Sequence, residues 1–246
     1  MNRPRVAIVT VCRNAAALLA TTIDSVVRQR YSEKYYVVVD GASSDGTQEY
    51  LQRRRDSIDA LICEPDRGIY DAMNKAIDLC PGDSWVIFLN AGDRFWDDEV
   101  LESLSSRLLW NVDIVVGDVV IEGSAGNRRV AAKLTRKHGM PTCHQAMLCR
   151  ASLLKTIKFN LDYSTGADFD CFVRLTKHIG QGRVVLYPGI IAQIAPEGYS
   201  ARNEPRLRRD YFQIIRGRYG RMAAWRWLLE RKVKQGIRKC LPYRVP

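Results

Sequence analysis

Within its first 90 residues the chain alternates four times between a short apolar run and a segment of helical spacing. Val6 to Val11 is continuously apolar, as a strand buried on both faces of a sheet must be. Asn14 can cap a helix reaching about Gln29, with Leu18, Leu19, Ile23, Val26 and Val27 on its apolar side. Tyr35 to Val39 is the second strand. Asp45 and Gln48 have the spacing of a capping box for a helix through Arg54. Ala60 to Cys63 is a third, short strand. Ile69, Ala72, Met73, Ala76 and Ile77 then mark a helix that Pro81-Gly82 ends, and Trp85 to Leu89 is the fourth strand. Regular alternation of this kind predicts an α/β fold, a mostly parallel, doubly wound sheet with helices on both faces.

From Asp113 the texture changes. Ile114 to Ile121 and Arg128 to Lys133 flank the turn Gly123-Ser124-Ala125-Gly126, which predicts a hairpin. His144 to Cys149 reads as a strand followed by a short helix near Leu153. Asp168 to His178 is helical, and Arg183 to Tyr187 is the last strand, because Pro188-Gly189 interrupts the apolar run that follows it. Two basic helical stretches complete the chain after a loop near Gly198.

Charge is divided unevenly between these parts. Residues 201–246 hold 14 Lys and Arg against Glu204, Asp210 and Glu230, so the whole net charge of +11 lies in the tail and the body is neutral. A neutral body with a basic tail favours an anchoring appendage over a nucleic-acid binder. The seven cysteines are odd in number, mostly within apolar runs and free of any C-x-x-C pair, which predicts reduced core residues of a cytosolic protein. Cys143, His144 and Cys149 lack a fourth ligand at finger-like spacing, so they do not read as a zinc site. Arg13 ends the first apolar run too early for a secretory leader. No run approaches the ~20 apolar residues of a membrane-spanning helix.

Three of the apolar runs lead into acidic residues at sharp turns: VVVDGASSDGT (37–47), LICEPDRG (61–68) and WVIFLNAGD (85–93). Ligands of open α/β sheets bind outside the carboxyl ends of the strands. Carboxylates gathered there suit a ligand that offers hydroxyl and N–H donors and carries a metal-bound diphosphate, as a nucleotide-activated sugar does. Asp40 can accept such donors or bond its own turn backbone. Asp45, before Gly46-Thr47 and a helix, favours the turn role. The chain has no G-x-S-x-G elbow, no phosphate-binding Walker loop, no H-E-x-x-H and no complete G-x-G-x-x-G, which argues against the common hydrolase and dinucleotide-binding classes.

Taken in order, T-V-C-R-N, V-D-G-A-S-S-D-G-T, E-P-D-R-G-I-Y-D-A-M-N-K and F-L-N-A-G-D resemble the motifs of the family 2 inverting glycosyltransferases of GT-A (Rossmann-like) fold. The resemblance extends over roughly residues 5–190, and the E-P-D-R-G-I-Y-D-A-M-N-K element is similar to the bacterial branch that builds cell-surface polysaccharides. It implies a GT-A domain over residues 1–200, with a nucleotide-binding half to about residue 110, a mixed acceptor half to 200, and a basic helical tail over 201–246. It implies that Thr10 and Asp40 line the nucleoside site, and that Asp66, Gly68, Asn74 and Lys75 border the ribose, diphosphate or donor sugar. Lys75 also reads as a solvent-facing helix lysine. F-L-N-A-G-D stands where the family carries its metal-binding D-x-D; Asn90 and Gly92 replace two carboxylates and leave Asp93, with Asn90 assisting, for a divalent cation, Mg or Mn.

The element Ser164 to Asp170 resembles the place where the family's general base opens a helix, and that role maps onto Asp168. A helix N-terminus favours negative charge, which suits a carboxylate that accepts an acceptor hydroxyl's proton. His144, in C-H-Q-A-M, matches a His-Gln of the same branch and is expected either at the diphosphate or acceptor or as a core histidine. The resemblance thus implies a hexosyl- or N-acetylhexosaminyl-transferase acting by one in-line displacement on a nucleotide-diphosphate sugar donor and a polyprenyl-linked glycan acceptor. Two other readings are a sugar-phosphate nucleotidylyltransferase and a non-catalytic nucleotide-sugar-binding protein. The tail's Arg, Lys and aromatic residues predict a peripheral contact with the anionic inner face of the plasma membrane. A helix packed on the core competes with that reading, and nucleic acid is not expected.

Overall fold

The first strand, β1 (Val6–Cys12), is buried along its whole length and lies between two parallel neighbours. Its alternate side chains enter different cores. Ala7, Val9 and Val11 join one apolar cluster, and Val6 and Ile8 join the other. Period-two alternation in a strand apolar at every position requires a cover on both faces, and the helices supply it. The computed structural model describes residues 3–124, 126–134, 139–180, 183–195 and 203–240, with the main chain alone over 232–240. Ala125 of the expected turn, Gln181-Gly182, the loop at Gly198 and residues 201–202 and 241–246 lie outside the described residues.

Around β1 stand β2 (Lys34–Asp40), β3 (Ala60–Cys63) and β4 (Trp85–Phe88), all parallel, in the spatial order β3-β2-β1-β4. The connections are α1 (Ala16–Val27), α2 (Thr47–Arg53) and α3 (Ile69–Leu79). The sheet continues from β4 through β8 (Met147–Arg150), β6 (Ile114–Ile121), β9 (Val184–Ile194) and β5 (Arg94–Phe95), with β7 (Arg128–Val130) paired to β6. β1 to β4, β6 and β9 run one way; β5, β7 and β8 run the other. The sheet is mostly parallel, as the alternation predicts. The remaining helices are α4 (Val100–Ser105), α5 (Ala151–Ile157), α6 (Ala167–Ile179), α7 (Glu204–Tyr219) and α8 (Arg221–Cys240).

Several local expectations are corrected. His144–Ala146 forms a 3-10 turn and β8 starts only at Met147, which frees His144 and Gln145 from the ladder. β9 does not stop at Tyr187 but passes through Pro188-Gly189. The pairing steps from Val116↔Leu186 to Asp118↔Ile190, so the extra residues bulge out and the proline's missing N–H costs no ladder bond. Gly117 is needed there, since a Cβ on it would lie 2.6 Å from Ile191 Cδ1. The β7 strand is shorter than Arg128 to Lys133, while β5 and α4 were not anticipated.

The helix caps also differ. Asn14 sits at φ 50° before Ala15, and its side chain accepts from Ser44 N at 2.9 Å instead of capping α1. Asp45 accepts from Ala16 N at 3.2 Å and from Thr47 N at 3.1 Å, so one carboxylate serves the first turns of two helices. Gln48 donates to Ser43 O at 3.0 Å, so the capping box does not form.

Candidate active site

At the end of β2, Asp40 is fully buried. Its carboxylate accepts from Ser43 N at 2.9 Å and from the Ser43 hydroxyl, and the Cys12 thiol donates to it at 3.7 Å. Burial first, then the Asp40 charge, pushes the Cys12 thiol far above its ordinary range, so that thiol stays protonated. Of the two roles open to Asp40, this structure displays the turn-binding one. Gly41 brings the next backbone unit against β3's loop: a Cβ on it would stand 2.1 Å from Asp66 Oδ2. Thr10 is also fully buried, donating to Leu89 O at 2.7 Å with Tyr36 Oη 3.0 Å away.

The loop after β3 is shaped by its own polar groups. Asp66 accepts from Gly68 N at 2.8 Å, and Gly68, at φ 122°, turns the chain into α3. Lys75 reaches back from α3 to donate to Pro65 O at 2.7 Å and pairs with Glu64 at 2.7 Å. Asn74 points the other way. It donates to Phe159 O at 2.9 Å and accepts from Phe159 N at 2.8 Å, clamping the segment that follows α5. Phe159 packs on Tyr70 and Phe88, each 5.4 Å between ring centroids.

Beyond β4 the polar groups are buried but incompletely matched. The Asn90 to Asp93 turn closes through Asp93 N to Asn90 O at 2.9 Å. Asp93 is 7% exposed and accepts from Gln145 at 2.9 Å and Ala195 N at 3.3 Å. Burial nonetheless dominates and raises its carboxyl to about 6, the Gln145 bond and the neighbouring His144 opposing it. Asn90 Oδ1 is buried without a partner.

The Asn90 amide nitrogen lies 3.2 Å from His144 Nε2, and an amide nitrogen can only donate. On its other side His144 Nδ1 faces Asp168 Oδ2 at 3.5 Å. Asp168, in the first turn of α6, also accepts from Phe169 N at 2.8 Å and from Tyr70 Oη at 3.3 Å. Asn90, Asp93, His144 and Asp168 thus join one network, while Thr10, Asp40, Asn74 and Lys75 are bonded elsewhere. Gln145 and Tyr70 were missed as site residues. Both stand inside quoted motifs, Gln145 beside His144 and Tyr70 in G-I-Y-D, but their partners lie 52 and 98 positions away.

The model of the family described as Glycosyl transferase family 2 matches residues 7–180. The chain belongs to that family. This glycosyltransferase is 33% identical over 183 residues, 71% of its length and 70% of the relative's, to the PGL/p-HBAD biosynthesis glycosyltransferase of Mycobacterium tuberculosis. Its fold is that of TarS from S. aureus, solved with UDP-GlcNAc, at TM-score 0.66 and 14% identity over 86% of the chain. It is equally that of the mannosyltransferase PcManGT from Pyrobaculum calidifontis, solved with GDP-Man and Mn2+, at TM-score 0.68 and 19% identity over 87% of the chain. The chain spans 64% of each of those two structures. At such identity they show the GT-A fold alone.

Among the described residues, no three His, Cys, Asp or Glu side chains gather into a metal cage. The glycosyltransferase does hold one buried carboxyl, Asp93, and one orphaned amide oxygen, Asn90 Oδ1, in a single turn. That donor set fits a hard cation that takes its other oxygens from phosphate and water.

Proposed function

We propose that this glycosyltransferase moves a sugar, with inversion, from a nucleoside-diphosphate sugar to a hydroxyl of a lipid-linked glycan. The carrying observation is Asp168: its Oδ2 faces the His144 imidazole, which in turn contacts Asn90 beside Asp93. A carboxylate so held can take the acceptor hydroxyl's proton as that oxygen attacks the anomeric carbon and the nucleoside diphosphate departs. Tyr70 and Phe169 N fix one carboxylate oxygen and leave the other beside the imidazole. Asp93, with Asn90 Oδ1, would hold Mg or Mn; such an ion supplies counter-charge for the leaving diphosphate. The names of the relatives and the ligands of the neighbours, UDP-GlcNAc and GDP-Man, support a sugar nucleotide as donor.

The acceptor and the membrane belong to the same reading. Met222, Trp225 and Leu229 are 87%, 56% and 60% exposed on one side of α8, with Arg221 and Arg226 exposed near them. An apolar stripe between arginines suits an anionic bilayer surface, here the cytoplasmic face. No described helix is long and apolar enough to cross a membrane.

The test is transfer from radiolabelled UDP-, GDP- and dTDP-sugars, with Mg or Mn and a bacterial membrane extract. Label in the lipid fraction, with the anomeric configuration inverted by NMR of the product, is the expected result. Pyrophosphate-dependent nucleotide exchange, binding without turnover, or retained configuration would each overturn it.

A further inference from the structure

Asp210 is a carboxylate in a helix rich in arginine, yet it is 6% exposed and makes no ion pair among the described residues. Burying a charge is costly unless strong hydrogen bonds receive it. Among the described residues, both of its bonds go to one residue. Asp210 Oδ2 accepts from Thr165 N at 3.0 Å and from Thr165 Oγ1 at 2.8 Å. Thr165 stands three positions before Asp168.

From Thr165 the contacts lead into the network. Thr165 O accepts from Tyr70 Oη at 3.0 Å, and that same phenol lies 3.3 Å from Asp168 Oδ1. On the other side of Asp168, the Phe169 ring stacks on Tyr211 of α7 at 4.4 Å and 15°. Between them a Cβ on Gly166 would come 3.0 Å from Asp210 Cβ, so α7 lies directly on the turn.

We infer that Asp210 is a positioning residue for Asp168, acting through the Ser164–Gly166 turn and Tyr70, so that α7 completes the transfer site. The inference rests on Asp168 being the base. Asp210 touches neither donor nor acceptor; it fixes where the carboxylate and the phenol stand. Its removal leaves the Thr165 amide and hydroxyl unmatched, and the turn relaxes.

The test uses the full chain and whichever of the UDP-, GDP- and dTDP-sugars the wild-type enzyme turns over. Asp210→Ala is expected to lower kcat by about 10²-fold, the scale of a small misplacement of a catalytic group. The donor KM stays within about twofold, because donor binding is untouched. Asp210→Asn keeps an oxygen that can accept both Thr165 donors and is expected to restore kcat to within about threefold of wild type. Should Asp210→Ala fail to fold, Thr165→Val decides, since it removes one donor only; an about tenfold loss of kcat at unchanged donor KM supports the inference.

Wild-type kcat in the variant that folds would overturn it, as would parallel loss of kcat and donor binding. An inactive Asp168→Asn beside a fully active Asp210→Ala sinks this inference alone. A fully active Asp168→Asn sinks the base assignment and the inference with it.

Discussion

The loops after β2 and β3 and the loops after β4 occupy the same rim of the sheet, yet they treat their polar side chains in opposite ways. In the first region Asp40, Asp66, Asn74 and Lys75 each bond the chain's own backbone. In the second, Asn90 Oδ1 has no partner and burial raises Asp93 to about 6. A buried group left short of partners is costly to the folded chain, and it gains most when a ligand arrives. Under the proposed reaction, the contrast fits a shaping role for the first region and a chemical one for the second.

The sharpest way to break that division is Asp168→Asn. Loss of a general base should lower transfer by about 10³-fold while donor binding, read by thermal shift, persists. Asp93→Asn should follow, with metal-stimulated transfer falling by about 10²-fold and little loss of melting temperature. An equal fall in stability for either variant would erase the distinction between the regions.

Substitutions in the first region should act on the fold before the turnover. Asn74→Ala leaves both backbone groups of Phe159 unmatched and should cost about 2 kcal/mol, read by urea unfolding, with donor KM unchanged. Gly41→Ala forces the Asp66 carboxylate to move and should cost about 1–3 kcal/mol while raising donor KM.

The last test is pH. Because Asp93 holds its proton to about pH 6 when folded and only to about 4 when unfolded, the folded state binds more proton between those values. Stability must therefore fall as pH rises through that window, by up to about 3 kcal/mol in metal-free buffer. Asp93→Asn removes this component, and chelated samples of both proteins unfolded in urea from pH 4 to 7 will show it.

What the sequence disclosed follows the range of the interactions. β1 to β4 and their helices were legible because burial on two faces writes itself into neighbouring residues. The Asn90–Asp93 turn and the helix bearing Asp168 stand where their motifs place them. Pro188-Gly189 misled because only pairing with β6 shows that the bulge absorbs it. Asn14 misled because its partner, Ser44 N, lies thirty residues off on another loop. Asp45 makes the local turn bond to Thr47 N that its position predicts, and only Gln48 departs from the capping box. Asp210 had a faint signal, a single acid among Arg206, Arg208 and Arg209, but its partner is 45 positions away. No local pattern announces such a bond.

The Asp210–Thr165 contact ties α7 to the turn that opens α6. The matched family region ends at residue 180, short of β9 and α7. Replacing the C-terminal segment of this chain with another would then be more than an exchange at the periphery. A donor segment must bring an acid in step with the turn it covers, or the hybrid inherits a crooked hand at its reacting centre.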